Sequence, residues 1–166
     1  MVQIAGMVYR SGPNDALPNI RIEREPTARV LRVALNGATA LPDFSAAIAA
    51  AGAALADGPT YSVVIDLRGS PYAPSQREAQ QLGDQLAALK HALRGPVAIL
   101  AGSPLQFGVA RMIASFAEAA AMPVGAFRND EEAGHWLLSE ARRRSGGVTV
   151  STADPGSAPS AASPTS

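Results

Sequence analysis

Three hydroxyl side chains lie close together in the segment DLRGSPYAPSQRE, residues 66–78: Ser70, Tyr72 and Ser75. A hydroxyl can act as a nucleophile beside a base, can accept a phosphoryl group, or can cap a helix. Asp66 precedes them at the end of an apolar run, where ligand-binding and catalytic groups stand in open α/β sheets. This segment is therefore the first candidate for a functional site.

An enzyme would need these groups to meet a base, and the sequence offers few. A triad of Ser103, His135 and Asp66 can be drawn, but no G-x-S-x-G motif accompanies the serine. The chain has no cysteine, and it shows neither the spacing of a metal site nor a glycine-rich nucleotide-binding motif. We therefore expect a protein that is not an enzyme and that binds no cofactor or metal.

Ser75 precedes an apolar-periodic run, and Glu78 follows it three residues later. This is the spacing of a capping box, in which the hydroxyl and the carboxylate each accept a hydrogen bond from a backbone N–H. Ser103 and Asn129 precede two further predicted helices with similar signatures. The same position would expose the Ser75 hydroxyl at the positive end of a helix, where a phosphate is stabilised. A helix cap and a site of phosphorylation or partner contact are therefore both open for Ser75.

A second unusual feature is a glycine, Gly108, inside the helical pattern of residues 104–121. Glycine in a helix interior costs about 1 kcal/mol relative to alanine. It therefore indicates either close packing of the helix or a gap for a ligand or partner, with Phe107 and Arg111 beside it. The apolar stripe predicted for this helix consists of Leu105, Val109, Met112 and Phe116.

Alternating strand and helix patterns predict the fold. Strands are expected at 19–25, 28–37, 61–67, 96–102 and 124–127, and helices at 41–57, 75–93, 104–121 and 130–144. The first two strands are close enough for an antiparallel hairpin, whereas strands separated by helices favour parallel pairing. The predicted fold is one small α/β sandwich: a mostly parallel sheet of four or five strands, an antiparallel N-terminal hairpin strand and four helices.

The two ends of the chain differ in composition from its middle. Residues 1–18 contain turn-forming residues and are predicted to be a flexible N-terminal segment. Residues 145–166 are rich in Ser, Ala and Pro, which cannot bury enough apolar area to offset the entropy of ordering. We therefore predict one domain at 19–144, followed by a disordered tail.

Charge and hydropathy narrow the classes of partner. Fourteen basic and fourteen acidic residues cancel, and the only basic run is 142–144, so nucleic acid is not an expected partner. No stretch approaches the roughly 20 apolar residues of a membrane span, and the N-terminus lacks the pattern of a signal peptide. We expect a soluble cytoplasmic protein.

The run VVIDLRGSPYAPSQREAQQL, residues 63–82, resembles the strand–loop–helix signature of STAS domains, the SpoIIAA-like anti-sigma-factor antagonists. Residues 96–137, with their Phe-Gly, Ala-Arg-Met and closing Trp-Leu, are similar to bacterial STAS/SEC14-type proteins. Together the likeness covers roughly residues 20 to 140. It places Ser75 at the phosphorylatable serine of that signature, although Pro74 and Gln76-Arg77 depart from the residues usual around it.

The resemblance implies a non-enzymatic domain for regulatory protein–protein interaction in bacterial signalling, with a kinase-like or other signalling protein as partner. The alternative is a carrier of a small apolar ligand or lipid, for which Phe107, Gly108 and Arg111 are the candidate contacts. A homodimer is also open. The predicted partner-contact or phosphorylation residues are Asn36, Gly37, Asp66, Ser70, Tyr72, Ser75 and Gln76.

Overall fold

The computed structural model of this chain describes residues 17–146. Within them, five strands form a single sheet: β1 (Ile20–Glu25), β2 (Val30–Asn36), β3 (Ser62–Gly69), β4 (Val97–Leu100) and β5 (Val124–Phe127). The same residues form five helices: α1 (Leu41–Leu55), α2 (Gln76–Ala88), α3 (Lys90–Leu93), α4 (Pro104–Glu118) and α5 (Asp130–Gly146).

The strands lie in the sheet in the order in which they occur along the chain. β1 and β2 pair antiparallel, and β2, β3, β4 and β5 pair parallel. Each parallel pair is joined by a helical crossover, as parallel pairing requires. The predicted α/β class, the mostly parallel sheet and the antiparallel N-terminal hairpin are therefore confirmed.

The two faces of the sheet are covered unequally. The main core lies on one face, where residues such as Val33 and Ile65 pack with Phe44, Leu82 and Ile113 of α1, α2 and α4. Among the described helices, α5 packs on the other face and buries a smaller cluster. Its members are Val64, Ala98, Leu100, Ala133 and Leu137.

The single helix predicted at residues 75–93 is interrupted at Leu89, so the described residues form five helices rather than four. Leu89 leaves the helical region, with φ −95° and ψ 8°, and its side chain packs against Gly52 of α1. Arg94 then adopts a left-handed conformation, and its guanidinium donates hydrogen bonds to the Leu55 and Gly58 carbonyls at 2.9 and 2.7 Å. These tertiary contacts accompany the break at Leu89, while the helical segment still ends at Leu93, where the apolar pattern predicts its end.

The apolar stripe predicted for α4 is confirmed at Val109, which is 5% exposed, but its phase is shifted away from the buried side of the helix. Leu105 is 68% exposed, and Met112 and Phe116 are only partly buried. The residues that α4 buries are smaller on average, because the helix lies close to α2 and the sheet. They are Gln106, Val109, Ala110, Ile113, Ala114 and Ala117.

The ends of the described domain differ slightly from the predicted limits of 19 and 144. Leu17 packs against the main core, and its carbonyl accepts a hydrogen bond from the Ile20 N–H at 3.1 Å. At the other end, α5 continues to Gly146. The rest of the two predicted flexible segments, residues 1–16 and 147–166, lies outside the described residues.

The end of α4 is closed by hydrogen bonds that usually accompany a glycine. The Met122 N–H donates to the Ala117 carbonyl at 3.1 Å, and the Ala121 N–H donates to the Glu118 carbonyl at 2.8 Å. The backbone of Ala121 is left-handed, with a φ of +59°. This is a Schellman-type turn with alanine at the left-handed position, where a Cβ is strained.

We expect Ala121→Gly to raise the free energy of unfolding by about 0.5–1 kcal/mol, because relief of left-handed strain exceeds the added entropy of the unfolded chain. Urea denaturation measures the difference. Ala119→Gly is the matched control, since Ala119 has a right-handed φ of −57°. There glycine should lower stability by about 0.5–1 kcal/mol. The same sign of change in both variants would contradict this account.

Candidate functional site

Asn36 and Gly37 form the predicted turn at the end of β2. Gly37 has a φ of +72°, which suits glycine, and its N–H donates to the Gly69 carbonyl at 2.9 Å. The Asn36 side chain occupies the space that a Cβ on Gly69 would need. The ends of β2 and β3 are thus locked together, and Asn36 and Gly37 are exposed beside them.

Ser70 lies under this turn rather than on the surface, with only 6% of its area exposed. Its hydroxyl is 2.6 Å from the Thr39 hydroxyl and accepts a hydrogen bond from the Tyr72 N–H at 3.1 Å. Both interactions hold the loop after β3 against the segment after β2. Ser70 therefore has a structural role in this loop and does not belong to an exposed contact surface.

The residue that fixes this loop, Gln106, was not among the predicted site residues. It is 3% exposed, and its amide nitrogen lies 3.3, 2.7 and 2.9 Å from the carbonyl oxygens of Leu67, Ser70 and Tyr72. Its amide oxygen accepts a hydrogen bond from the Gly102 N–H at 2.8 Å. One side chain therefore joins the start of α4 to the loop after β3 and to the end of β4.

A sequence signal for Gln106 did exist. Residues 106, 109, 110 and 113 lie on one side of a helix, so Gln106 occupies an inward position beside Val109 and Ile113. A lone polar residue at a buried position must find hydrogen-bond partners. The predicted apolar stripe was chosen from the larger side chains, so it placed Leu105 at the inward position and Gln106 outside the core.

Ser75 caps α2 as predicted. Its hydroxyl accepts a hydrogen bond from the Glu78 N–H at 3.3 Å, and the Glu78 carboxylate accepts one from the Ser75 N–H at 2.7 Å. The backbone and then the side-chain hydrogen bonds of Ser75 lower the pKa of Glu78. The Ser103 hydroxyl and the Asn129 side-chain oxygen cap α4 and α5, each by accepting a hydrogen bond from the backbone N–H three residues later, at 3.1 and 2.8 Å. Ser75 and Gln76 remain exposed, so a role in contact or phosphorylation stays a prediction.

We expect Ser75→Ala to lower the free energy of unfolding by about 1 kcal/mol, because the Glu78 N–H loses its acceptor. Ser75→Asp should change it by almost nothing, since aspartate also caps and its charge suits the helix dipole. Urea denaturation of the three chains measures both. Equal stability of Ser75→Ala and the unmodified chain would show that the cap contributes little.

Tyr72 is directed inward between the loop and α2. Its hydroxyl is buried and has no hydrogen-bond partner in residues 17–146. Burial first, and then the negative charge of Glu78, raise the pKa of this hydroxyl above its ordinary value. Tyr72 is therefore protonated near neutral pH, and its phenolic oxygen is not presented to solvent.

Asp66 does not share the site of Ser70 and Ser75, because its side chain lies on the α5 face of the sheet. Arg68 donates to both of its carboxylate oxygens, at 3.0 and 2.7 Å, and Arg32 approaches at 3.4 Å. The same two arginines bind Asp130 at 2.9 and 2.8 Å. Four charges from β2, β3 and the start of α5 thus form one network.

This network occupies the Asp66 carboxylate. Burial raises the pKa of Asp66, but the hydrogen bonds and charge of Arg68, with the charge of Arg32, outweigh it and lower the pKa overall. No hydrogen bond within the described part of the chain joins Asp66 to His135 or Ser103, and the Ser103 hydroxyl caps α4. The triad drawn from the sequence is not assembled.

The network of Asp66, Asp130 and their two arginines makes the free energy of unfolding depend on pH in the acid range. The pKa values of Asp66 and Asp130 are lowered in the folded chain, so their contribution is complete above the unfolded value near 3.9 and is lost as pH falls below it. We expect the free energy of unfolding to begin to fall at about pH 4 and to keep falling as the pH is lowered through the folded-state pKa values of Asp66 and Asp130. Denaturation at several pH values measures it. Asp66→Asn should lower stability near neutral pH and flatten this slope; an unchanged slope would contradict the assignment.

The second predicted feature, around Gly108, lies on the outer side of α4. A Cβ on Gly108 would meet no atom within 4 Å, so close packing does not explain this glycine. Gly108 and Arg111 instead border an open cleft of about 360 Å³. Its other lining residues are Met112, Ser115 and Phe116; Phe107 is half-buried beside them and is not part of the lining.

Another open cleft, of about 490 Å³, lies where α4 ends against α5, beside Trp136. Charged side chains, including Glu118 and Arg143, form part of its wall. Neither cleft is an enclosed apolar chamber. Residues 17–146 contain no group of three or more His, Asp or Glu placed to hold a metal, and none of their helices is both long and apolar enough to span a membrane.

Comparison with known proteins identifies no relative. No family model matches the chain, and no curated protein or solved structure is significantly similar to it. The resemblance to STAS domains therefore stays a prediction. The α/β fold is known from the structure itself.

Proposed function

We propose that this chain is a non-enzymatic, STAS-like domain that binds a regulatory protein partner in bacterial signalling. The proposed contact is the α2-start surface, defined by Asn36, Gly37, Ser75 and Gln76. The observation that carries the proposal is that all four are exposed at the end of the sheet where the parallel strands finish. In open α/β sheets this end is where binding residues concentrate.

The groups beneath the α2-start surface support it without offering a reactive site. Ser70 and Gln106 are buried, and their polar atoms are bound to the neighbouring backbone and to Thr39. A loop held in this way is already ordered before binding, so less conformational entropy is lost on contact. This arrangement suits recognition of a partner by shape.

The α2-start surface is polar and carries no charged residue. A phosphate on Ser75 would add about −1.5 to −2 charges at the N-terminus of α2. The N-terminus of α2 would stabilise that charge, the neighbouring Glu78 carboxylate would repel it, and the contact with any partner would change. Ser75 is therefore both the cap of α2 and a candidate site at which phosphorylation would control binding.

The test is partner capture with the full chain, followed by titration with the purified partner. Gln76→Arg should weaken binding, whereas Arg142→Glu, an exposed charge reversal on α5, should leave it unchanged. If Ser75 is a phosphoswitch, Ser75→Asp should abolish binding and Ser75→Ala preserve it. A partner bound equally by all four variants would place the contact elsewhere, and recovery of none would count against the function.

The small-ligand alternative has weaker structural support. Drug-sized ligands are buried over roughly 70–90% of their surface in typical pockets. The cleft beside Gly108 is open and is lined by one helix, so an apolar ligand there would keep much of its surface in water. Native mass spectrometry of freshly purified chain tests this alternative directly, since a bound lipid would appear as added mass.

A further inference from the structure

The outer face of α4 carries a straight row of four exposed residues: Gly108, Arg111, Ser115 and Glu118. Their spacing of three, four and three places them along one side of the helix. None of them contributes to the main core. These four residues are therefore available to contact a partner.

The shape of this row of residues resembles a surface against which a second helix packs. Gly108 leaves a notch, since a Cβ there would meet nothing within 4 Å, and the small Ser115 continues it one turn later. Met112 and Phe116 form its half-buried apolar wall. Leu105, with 68% of its area exposed, extends the apolar surface at the start of the helix. Small residues beside apolar ones let a second helix approach closely.

The row carries two charges of opposite sign, Arg111 and Glu118, that can pair with a partner. Arg111 and Glu118 lie two turns apart, a rise of about 10 Å. Neither forms an ion pair within 4.0 Å in the part of the chain that the structure describes. Glu118 also borders the cleft that contains Arg143 and Arg144, but it is not paired with them. An arginine followed two turns later by a glutamate complements the same sequence running in the opposite direction.

We propose that α4 binds α4 of a second copy of this chain, antiparallel, about a two-fold axis beside Ser115. Arg111 then faces the partner's Glu118, and Glu118 faces the partner's Arg111. A two-fold contact uses one patch twice, so a single pattern of opposite charges yields two ion pairs. A parallel arrangement would place like charges opposite each other. This inference does not depend on the proposed function.

The expected dimer is weak. α4 has 15 residues and is therefore about 22 Å long, so one helix seam buries less than the roughly 1,200–2,000 Å² of stable interfaces. Sedimentation equilibrium of the full chain, from micromolar to near-millimolar concentration, should show a reversible monomer–dimer equilibrium. A chain that stays monomeric at the highest concentration overturns the proposal.

Charge reversal locates the contact. Arg111→Glu and Glu118→Arg should each weaken dimerisation by about tenfold or more, because each places like charges opposite each other twice. An equimolar mixture of the two variants should form a mixed dimer, and the double variant should recover self-association. Arg142→Glu is the control and should dimerise like the unmodified chain. Dimers that are unaffected by the single reversals overturn the assignment to α4.

Filling the notch tests the shape of the surface. Gly108→Met should leave the monomer folded, since the added atoms enter open space. It should weaken dimerisation by about tenfold or more, because the longer side chain would clash in a packed seam. Gly134→Met on α5 is the matched control, because a Cβ on Gly134 also meets nothing within 4 Å. Circular dichroism confirms folding of both. Equal dimerisation of the two variants overturns the proposal.

Discussion

Replacing Gln106 with leucine is expected to lower the free energy of unfolding by about 2–4 kcal/mol. Leucine has a similar volume, but it leaves the carbonyls of Leu67, Ser70 and Tyr72 and the N–H of Gly102 without their amide partner. A buried polar group left unpaired costs about 1–3 kcal/mol, and water entering the loop should recover part of the sum. Urea denaturation measures the difference.

Gln80→Leu on α2 is the matched control for Gln106→Leu. Gln80 is exposed and makes no side-chain hydrogen bond within residues 17–146, so its replacement should change stability by less than about 0.5 kcal/mol. Hydrogen exchange adds a local readout, since the Gly102 N–H should exchange faster once its acceptor is gone. Equal stability of the two variants would show that the Gln106 amide does not hold this loop.

The sequence predicted those elements whose signals are local. Alternating apolar residues indicated the hairpin of β1 and β2, and continuous apolar runs indicated the buried parallel strands. The cap at Ser75 depends on residues three apart, so it too was readable from the chain. In each case the residues that decide the structure are sequence neighbours, and tertiary contacts reinforce their preference.

The phase of α4 could not be read in the same way. The helix is rich in alanine, and the buried side uses Ala110, Ala114 and Ala117 because α2 and the sheet lie close to it. Hydrophobicity therefore gives little contrast between its sides, and the larger Leu105 drew the predicted stripe away from the core. The inward position of Gln106 was readable from its spacing to Val109 and Ile113, but three of its four backbone partners lie 34 to 39 residues away in the chain and could be identified only from the fold.

Asp66 shows a different limit. The sequence grouped it with Ser70 and Ser75, but successive side chains of a strand point to opposite faces of the sheet. Leu67 enters the main core, so Asp66 and Arg68 must lie on the α5 face. The alternation of side chains along β3 was readable from the sequence. That Arg32 and Asp130 would contact Asp66 and Arg68 could be predicted only once the order of the strands in the sheet was known.

Gly83→Ala is expected to lower the free energy of unfolding by about 2–3 kcal/mol. Alanine would favour the α2 helix by about 1 kcal/mol, but its Cβ would lie 2.5 Å from the Phe116 Cβ and 3.0 Å from the Ile113 carbonyl oxygen. Neither atom is the end of a flexible side chain, so α2 and α4 would have to separate. Urea denaturation and the thermal midpoint both report the loss.

Gly52→Ala makes the same substitution in a buried helical position and should have the opposite sign. Its Cβ would lie 3.5 Å from the Leu89 side chain, which is ordinary van der Waals contact, so stability should rise by about 0.5–1 kcal/mol. If both variants are stabilised, the contact between α2 and α4 is looser than the structure has it. If Gly83→Ala alone is destabilised, the close contact between α2 and α4 is confirmed. That contact sets how the two helices pack against each other, and each of them carries one of the proposed surfaces.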